Sequence, residues 1–270
     1  MKYKIIASDF DGTLLRSDRT VSRRTVDAIA RYRSLGGLFT VSTGRMFGSI
    51  QRSLFQLGMQ DVNVPIIAMD GGIIQESISG KVLASYPMPR LQVAEFCQEC
   101  EKLGCYFHIY TDKLYVEKAN EINRDYCAVT KIEMHEVGKL SRFVRENADL
   151  KILKVLIADD NAEKLLDVFK DRYEGIQFFM SWSTYLDGAA VEAGKGNGVR
   201  KLADMHGIDI SQVIAIGDSM NDISMVSEAG LGVAMQNADD RLKKHADIIA
   251  PSNDDDGVAY IIEKAIRDDL

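Results

Sequence analysis

An α/β fold, with a doubly wound Rossmann-like parallel-sheet core interrupted by an inserted α+β domain, is what this sequence predicts, and three observations lead there. The first 70 or so residues alternate short apolar strands with amphipathic helices, and the last 80 or so return to the same rhythm, the signature of a parallel sheet carrying helices on its faces. Between them the rhythm breaks into paired strands and scattered helices. At 270 residues the chain also exceeds the commonest single-domain size, which favours two unequal domains. The expected division is residues 1–83 plus 188–270 as a core and 84–187 as an inserted cap.

Lys4 to Ser8 reads as an apolar strand. A helix over Ser22 to Leu35 places Val26, Ile29 and Ala30 on one face and closes at Gly36 and Gly37. Leu38 to Ser42 is the next strand. Met46 to Leu57 is a helix with Met46, Ile50, Leu54 and Leu57 at helical spacing, and Pro65 to Met69 is a third strand. In the insert come a helix, two strands joined by a turn at Asp112 and Lys113, further helices, a strand over Lys151 to Ala158, another helix, and two strands about Trp182. The core resumes with a helix over Val199 to His206, a strand over Val213 to Ile216, a helix over Ile223 to Glu228 and a strand over Leu231 to Ala234. A segment at "DIIAP" and a helix from Gly257 finish it.

Composition narrows the class. A hydrophobic share of 46% and a charged share of 27% are those of an ordinary globular protein. A net charge of -7 without a basic stripe disfavours nucleic acid as partner. "MKYKIIA" runs straight into charged residues, too short for a signal peptide, and no apolar run reaches membrane-spanning length. The expectation is therefore a cytoplasmic protein with no membrane partner, a monomer or weak homodimer. Four cysteines make no disulfide framework in a chain this long and suit a reducing compartment.

The chemistry gathers at strand ends, where ligands bind in open α/β sheets. After the first strand stand Asp9 and Asp11, two residues apart and so able to project into one pocket about 6–7 Å apart at Cα. Gly12 lets the chain turn and Thr13 can orient a carboxylate. Taken alone, the same residues suit a solvated acidic loop or a calcium loop. "IAIGDSMND" supplies Gly217, Asp218, Asn221 and Asp222 after another strand, where Asp218 could equally cap the next helix. Thr43 and the amides around Gly44 and Arg45 make an anion cradle or a plain helix cap. Lys195, in "EAGKGNG" between a strand and the following helix, is a phosphate ligand or a solvated lysine; no nucleotide-binding glycine pattern accompanies it. Asp9, Asp11, Asp218 and Asp222 bring up to four negative charges and a phosphate monoester nearly two more, against Lys195 and Arg45. A divalent ion with oxygen ligands, Mg²⁺, would restore the balance.

"DFDGT", "STGR", the Lys195-Gly196 pair and "GDSMND", in that order, resemble the motif set of the haloacid dehalogenase superfamily of phosphatases. The long insert is similar to the Cof-like branch with a large α/β cap, and the resemblance covers essentially the whole chain. It implies Mg²⁺-dependent hydrolysis of small phosphorylated metabolites such as sugar phosphates. Asp9 would be the nucleophile, forming an aspartyl phosphate, and Asp11 the general acid and base. Thr43, Gly44, Lys195 and Asn221 would hold the phosphoryl group; Asp9, Asp11 through its carbonyl, Asp218 and Asp222 would serve the metal. Two departures stand out: Asp70-Gly71-Gly72 where Asn-Gly is common, and Asp187 where glutamate is usual. Asp70 is left outside the expected site, and Arg45, which matches the branch's Thr-Gly-Arg, would contact substrate or as well pair with a structural carboxylate. A phosphomutase on the same core is the enzymatic rival, and a phospho-aspartate signalling domain or phospholigand sensor the rival from another class.

Cys97, Cys100, Cys105 and His108 imitate zinc-ligand spacing. Val93, Phe96, Cys97, Cys100 and Leu103, however, trace the apolar stripe of one helix, and Cys105 and His108 fall on opposite strand faces, so buried thiols are expected. In "YFHIY", Phe107 and Ile109 should face the cap helices, leaving Tyr106, His108 and Tyr110 on the other face of the sheet; the resemblance implies that this face covers the active site, which would give the three residues to leaving-group recognition, and the alternative is a solvated face.

Overall fold

The computed structural model describes residues 1–56 and 63–270. Its strands are β1 (Ile5–Ser8), β2 (Leu38–Ser42), β3 (Pro65–Ala68), β4 (Ile73–Glu76), β5 (Val82–Ser85), β6 (Phe107–Tyr110), β7 (Leu114–Val116), β8 (Met134–Glu136), β9 (Lys154–Ala158), β10 (Ile176–Trp182), β11 (Tyr185–Ala190), β12 (Val213–Gly217), β13 (Leu231–Met235) and β14 (Ile248–Ala250). The helices that matter below are α1 (Arg23–Ser34), α2 (Phe47–Gln56), α3 (Arg90–Leu103), α4 (Glu121–Thr130), α5 (Leu140–Glu146), α6 (Ala162–Phe169), α7 (Lys195–Met205) and α8 (Ile223–Glu228).

Two sheets organise the molecule. The larger runs β14-β13-β12-β1-β2-β3-β4-β5. From β14 to β3 it is parallel, and β4 and β5 extend it as antiparallel strands absent from the sequence-based expectation. β1 and β12 are adjacent, with Ser8 opposite Ile216, so the chains leaving them emerge side by side. Both strands are buried throughout, as near-continuous apolar runs must be when helices cover both faces. The Ser22 side chain caps α1 by accepting from Thr25 N–H at 3.1 Å. The buried stripe of α1 is Thr25, Ala28, Ile29 and Tyr32; Ala30, expected on that face, is exposed because the i, i+3, i+4, i+7 set begins one residue earlier. Met46, Ile50 and Leu54 are buried as expected, whereas Leu57 lies outside the described residues.

The smaller sheet runs β10-β11-β9-β6-β7-β8, antiparallel except at β7–β8. Phe107, Ile109, Val155, Ile157 and Leu186 turn to one face, where they pack with Val93, Phe96, Cys97 and Cys100 of α3 and with residues of α5 and α6. Cys97 and Cys100 are thus core thiols and Cys105 is partly buried against them; the four cysteines are free, and among the described residues they join no group of potential metal ligands. Leu103 departs from the expected stripe and is exposed, at the last turn of its helix. The other face turns toward the core: Tyr110, Leu114, Val116 and Leu153 share a small apolar cluster with Met46 and Met69. β5 and β11 run a few residues past the expected domain breaks at 83/84 and 187/188.

Candidate active site

Asp9 follows β1 and is buried, its N–H bound to Ile216 O on the neighbouring strand at 2.8 Å. The chain then turns tightly: Leu15 N–H returns to Phe10 O at 2.8 Å, and Gly12 takes φ +74°. A Cβ on Gly12 would stand 2.5 Å from Asp218 Oδ2, so only glycine lets this loop close over the end of β12. Thr13 completes the approach by donating to Asp218 Oδ1 at 2.6 Å. It orients a carboxylate, as expected from sequence, though one from a distant motif.

Lys195 is buried between Asp9 Oδ1 at 2.7 Å and Asp222 Oδ1 at 2.6 Å. It is the first residue of α7 rather than part of a preceding loop. Gly196 and Gly198 allow that helix to lie against Ser224 and Ile67, where added Cβ atoms would come within 2.9 and 2.5 Å of neighbouring atoms. Burial alone would lower the lysine pKa, but Asp222, Asp9 and Asp70 outweigh it and hold the ammonium charged. Asp222 is saturated: its Oδ2 accepts from the Asp218 and Ser219 amides, each at 3.0 Å, while Oδ1 takes Lys195. It braces the loop that presents Asp218.

One oxygen from each of Asp9, Asp218 and Asp222 lies within 4.8 Å of the others. Burial, with Asp222 and Asp218 beside it, pushes the Asp9 carboxyl well above its ordinary pKa despite Lys195. Burial and the Asp222 charge lift Asp218 to about 7. Crowded, partly desolvated carboxylates that resist ionisation are a donor set suited to a hard divalent cation, which would stabilise their charged forms.

Asp11 and Arg45 meet across the mouth of the cleft. Arg45 Nε donates to Asp11 Oδ2 at 2.6 Å and Nη2 to Oδ1, with the guanidinium over the Phe10 ring at 5.2 Å. Arg45, for which a substrate contact or a carboxylate partner was expected, thus pairs with the acid–base candidate. Thr43 is buried beside them. The amide cradle is narrower than expected, since Thr43 N–H serves Ile67 O and Arg45 N–H serves Thr43 Oγ1, leaving Gly44 as its centre. Asn221 donates to Asp70 Oδ1 at 2.8 Å and accepts from the Ser219 hydroxyl at 2.6 Å.

The cleft is lined by Asp9, Asp11, Thr43, Gly44 and Arg45 from the core, with Lys195, Asp218 and Asn221; its opposite wall comes from the smaller sheet. Lys154 Nζ bridges Asp70 Oδ2 at 2.6 Å and Asp187 Oδ2 at 2.9 Å, all three buried. Asp70, left out on sequence grounds, therefore belongs to the surroundings of the site, and Lys154 and Asp187 join it. Two signals in the sequence pointed to this group: a lysine on an alternating position of the apolar strand "KVLIA", and the acidic departures at 70 and 187. Tyr110 lines the cleft, and its hydroxyl meets His108 Nε2 at 2.7 Å. His108 is buried, which with the nearby Lys154 charge lowers its pKa to about 3. Tyr106 shares that strand face but is not among the cleft residues, and its hydroxyl is buried. This face is covered rather than solvated.

The family model for haloacid dehalogenase-like hydrolases matches residues 6–262. The chain belongs to that family. It is 29% identical to 5-amino-6-(5-phospho-D-ribitylamino)uracil phosphatase YwtE of Bacillus subtilis, over 97% of this chain and 98% of the relative. It is 28% identical to pyridoxal phosphate phosphatase YbhA of Escherichia coli, over 97% and 98%. A haloacid dehalogenase-like hydrolase of Bacteroides thetaiotaomicron, solved by crystallography, superposes with a TM-score of 0.81 at 29% identity, covering 97% of this chain and 99% of that one. The protein is a phosphatase of this family, in its Cof-type branch. Among the described residues no helix is long and apolar enough to cross a membrane.

Proposed function

We infer that this enzyme hydrolyses small phosphate monoesters, sugar phosphates or similar metabolites, through a phosphoryl group held transiently on Asp9. The observation that carries this reading is Asp9 itself: a buried carboxylate at a strand end, gripped by Lys195, beside Asp218 and open to a cleft that Asp11 and Thr43 also line. Asp9, the Asp11 carbonyl and Asp218 are the groups that would hold Mg²⁺, with Asp222 bracing them. The ion would neutralise the carboxylates and the phosphoryl oxygens.

The remaining steps belong to the chain. A carboxylate oxygen of Asp9 forms a bond to phosphorus as the ester P–O bond breaks, and Asp11 gives its proton to the leaving oxygen. Asp11 then takes a proton from water, whose oxygen attacks the phosphorus and returns Asp9 as carboxylate with release of phosphate. Lys195 and Thr43 hold phosphoryl oxygens throughout, stabilising charge that spreads in the transition state. An arriving phosphoryl dianion competes with Asp11 for the Arg45 guanidinium. The cap wall contacts the leaving group and sets specificity.

A panel of phosphorylated metabolites, assayed with chelator and with Mg²⁺ restored, tests this for wild type and Asp9→Asn. Turnover should require the metal and fall on the order of 10⁴-fold or more in the variant. Full activity without metal, or in the variant, refutes it. Transfer of phosphoryl to an added sugar instead of water would indicate a mutase.

A further inference from the structure

Facing Asp9, the cap sheet presents Tyr110, Lys154, Leu156, Ser181, Tyr185 and Asp187. Register explains why they share one face: Tyr110 lies opposite Lys154, and His108, Leu156 and Asp187 are neighbours across β6, β9 and β11. Asp187 is 1% exposed. Its Oδ2 is taken by Lys154, but Oδ1 is buried with no hydrogen-bond partner, although Ser181 stands beside the carboxylate. A buried carboxylate oxygen without a donor is costly. Lys154 cannot supply one, because its ammonium already serves Asp187 Oδ2 and Asp70 and points toward Gly44 O at 3.5 Å. One ammonium between two carboxylates, Asp187 on this wall and Asp70 on the core loop against it, gives the clasp as a whole a net negative charge.

We propose that Asp187 is the specificity-determining acceptor for the alcohol half of the substrate. Its Oδ1 receives a hydrogen bond from a hydroxyl or N–H of the leaving group, so preferred esters carry neutral or cationic, donor-bearing leaving groups, and those with a second anion are rejected. The assignment rests on the phosphatase reading above. It follows from the asymmetry of acceptor sites: a cleft group built to receive a donor discriminates strongly against an analogue that lacks one.

Three esters with the same six-carbon chain test it: glucitol 6-phosphate, rich in hydroxyls; n-hexyl phosphate, with none; and 6-phosphogluconate, which adds a carboxylate. Wild-type kcat/KM should favour the first over the second by on the order of 100-fold or more, and over the third by about tenfold or more. In Asp187→Asn the amide oxygen must turn to Lys154, which puts an NH₂ donor where the acceptor stood. Both preferences should then shrink by about tenfold, whatever the absolute rates. Wild-type preferences within about threefold overturn the proposal without any variant. So does an equal loss on all three esters in Asp187→Asn, the mark of a purely structural ion pair. If p-nitrophenyl phosphate is hydrolysed but none of the three esters is, the specificity assignment fails and the phosphatase reading stands. If Mg²⁺-dependent turnover of p-nitrophenyl phosphate is also absent, that reading fails too.

Discussion

Two buried lysines, each clasped by two aspartates, stand on opposite walls of one cleft, and the electrostatic unit they share serves different ends. Lys195 sits between Asp9 and Asp222, all three delivered by the core at the ends of parallel strands and the start of a helix. Lys154 sits between Asp70 and Asp187, joining a core loop to two cap strands. In both, partner carboxylates overcome the burial that would otherwise discharge the ammonium. The carboxylates differ. Asp9 and Asp218 are held where ionisation is disfavoured, as the proposed cation and phosphoryl chemistry requires; in the second clasp Lys154 and Lys195 outweigh burial to lower the pKa of Asp70, while burial and the Asp70 charge raise that of Asp187 despite Lys154. On the proposed mechanism one clasp prepares a reactive group; the other joins a core loop to strands of the smaller sheet and, in the proposal above, leaves one oxygen for recognition.

Removing the central charge from each separates these roles. Lys195→Met should lower kcat by on the order of 10²–10³-fold on any ester, because it deletes a fixed cation at the transferring group. A loss confined to KM would show that Lys195 only aids binding. Lys154→Met should appear first as instability: two buried carboxylates lose their counter-charge, at a cost of about 3–5 kcal/mol in urea unfolding. Unchanged unfolding would mean that the cap is not fastened there.

Acid titration sharpens the contrast with a smaller effect. His108, beside Lys154, has its pKa lowered to about 3 from an ordinary 6.5, so the unfolded chain binds its proton more readily than the folded one. Its contribution to stability is complete above the unfolded pKa and is lost as pH falls through the window toward the folded value. From pH 7 to pH 4 this amounts to about 3 kcal/mol. His108→Asn should flatten that part of the stability curve, and an unchanged slope would place the acid sensitivity elsewhere.

The core was far more legible in the sequence than the cap. Leu38–Ser42 and Ile223–Glu228 match the expected strand and helix residue for residue, because local apolar pattern and flanking glycines or acids mark them. Asp9, Asp218 and Lys195 were readable since each sits in a short motif at an element boundary. β8 escaped notice because a three-residue strand owes its existence to pairing with β7, which no local pattern records. The Lys154 clasp was missed for a related reason: a charge can be buried only if its partners arrive, and those partners lie 84 and 33 residues away along the chain. For Arg45 the sequence left a substrate contact and a carboxylate partner both open, because it does not show that Asp11 reaches it.

The account stands on covalent transfer to Asp9, and mass spectrometry of acid-quenched enzyme tests it most directly. Asp11→Asn should still accept a phosphoryl group from p-nitrophenyl phosphate in Mg²⁺, since that leaving group needs no proton, but should release it slowly. A phosphoryl adduct on the peptide containing Asp9, localised to that residue, is the predicted result. Turnover with no adduct, or an adduct on Thr43 or Ser8 instead, would contradict it.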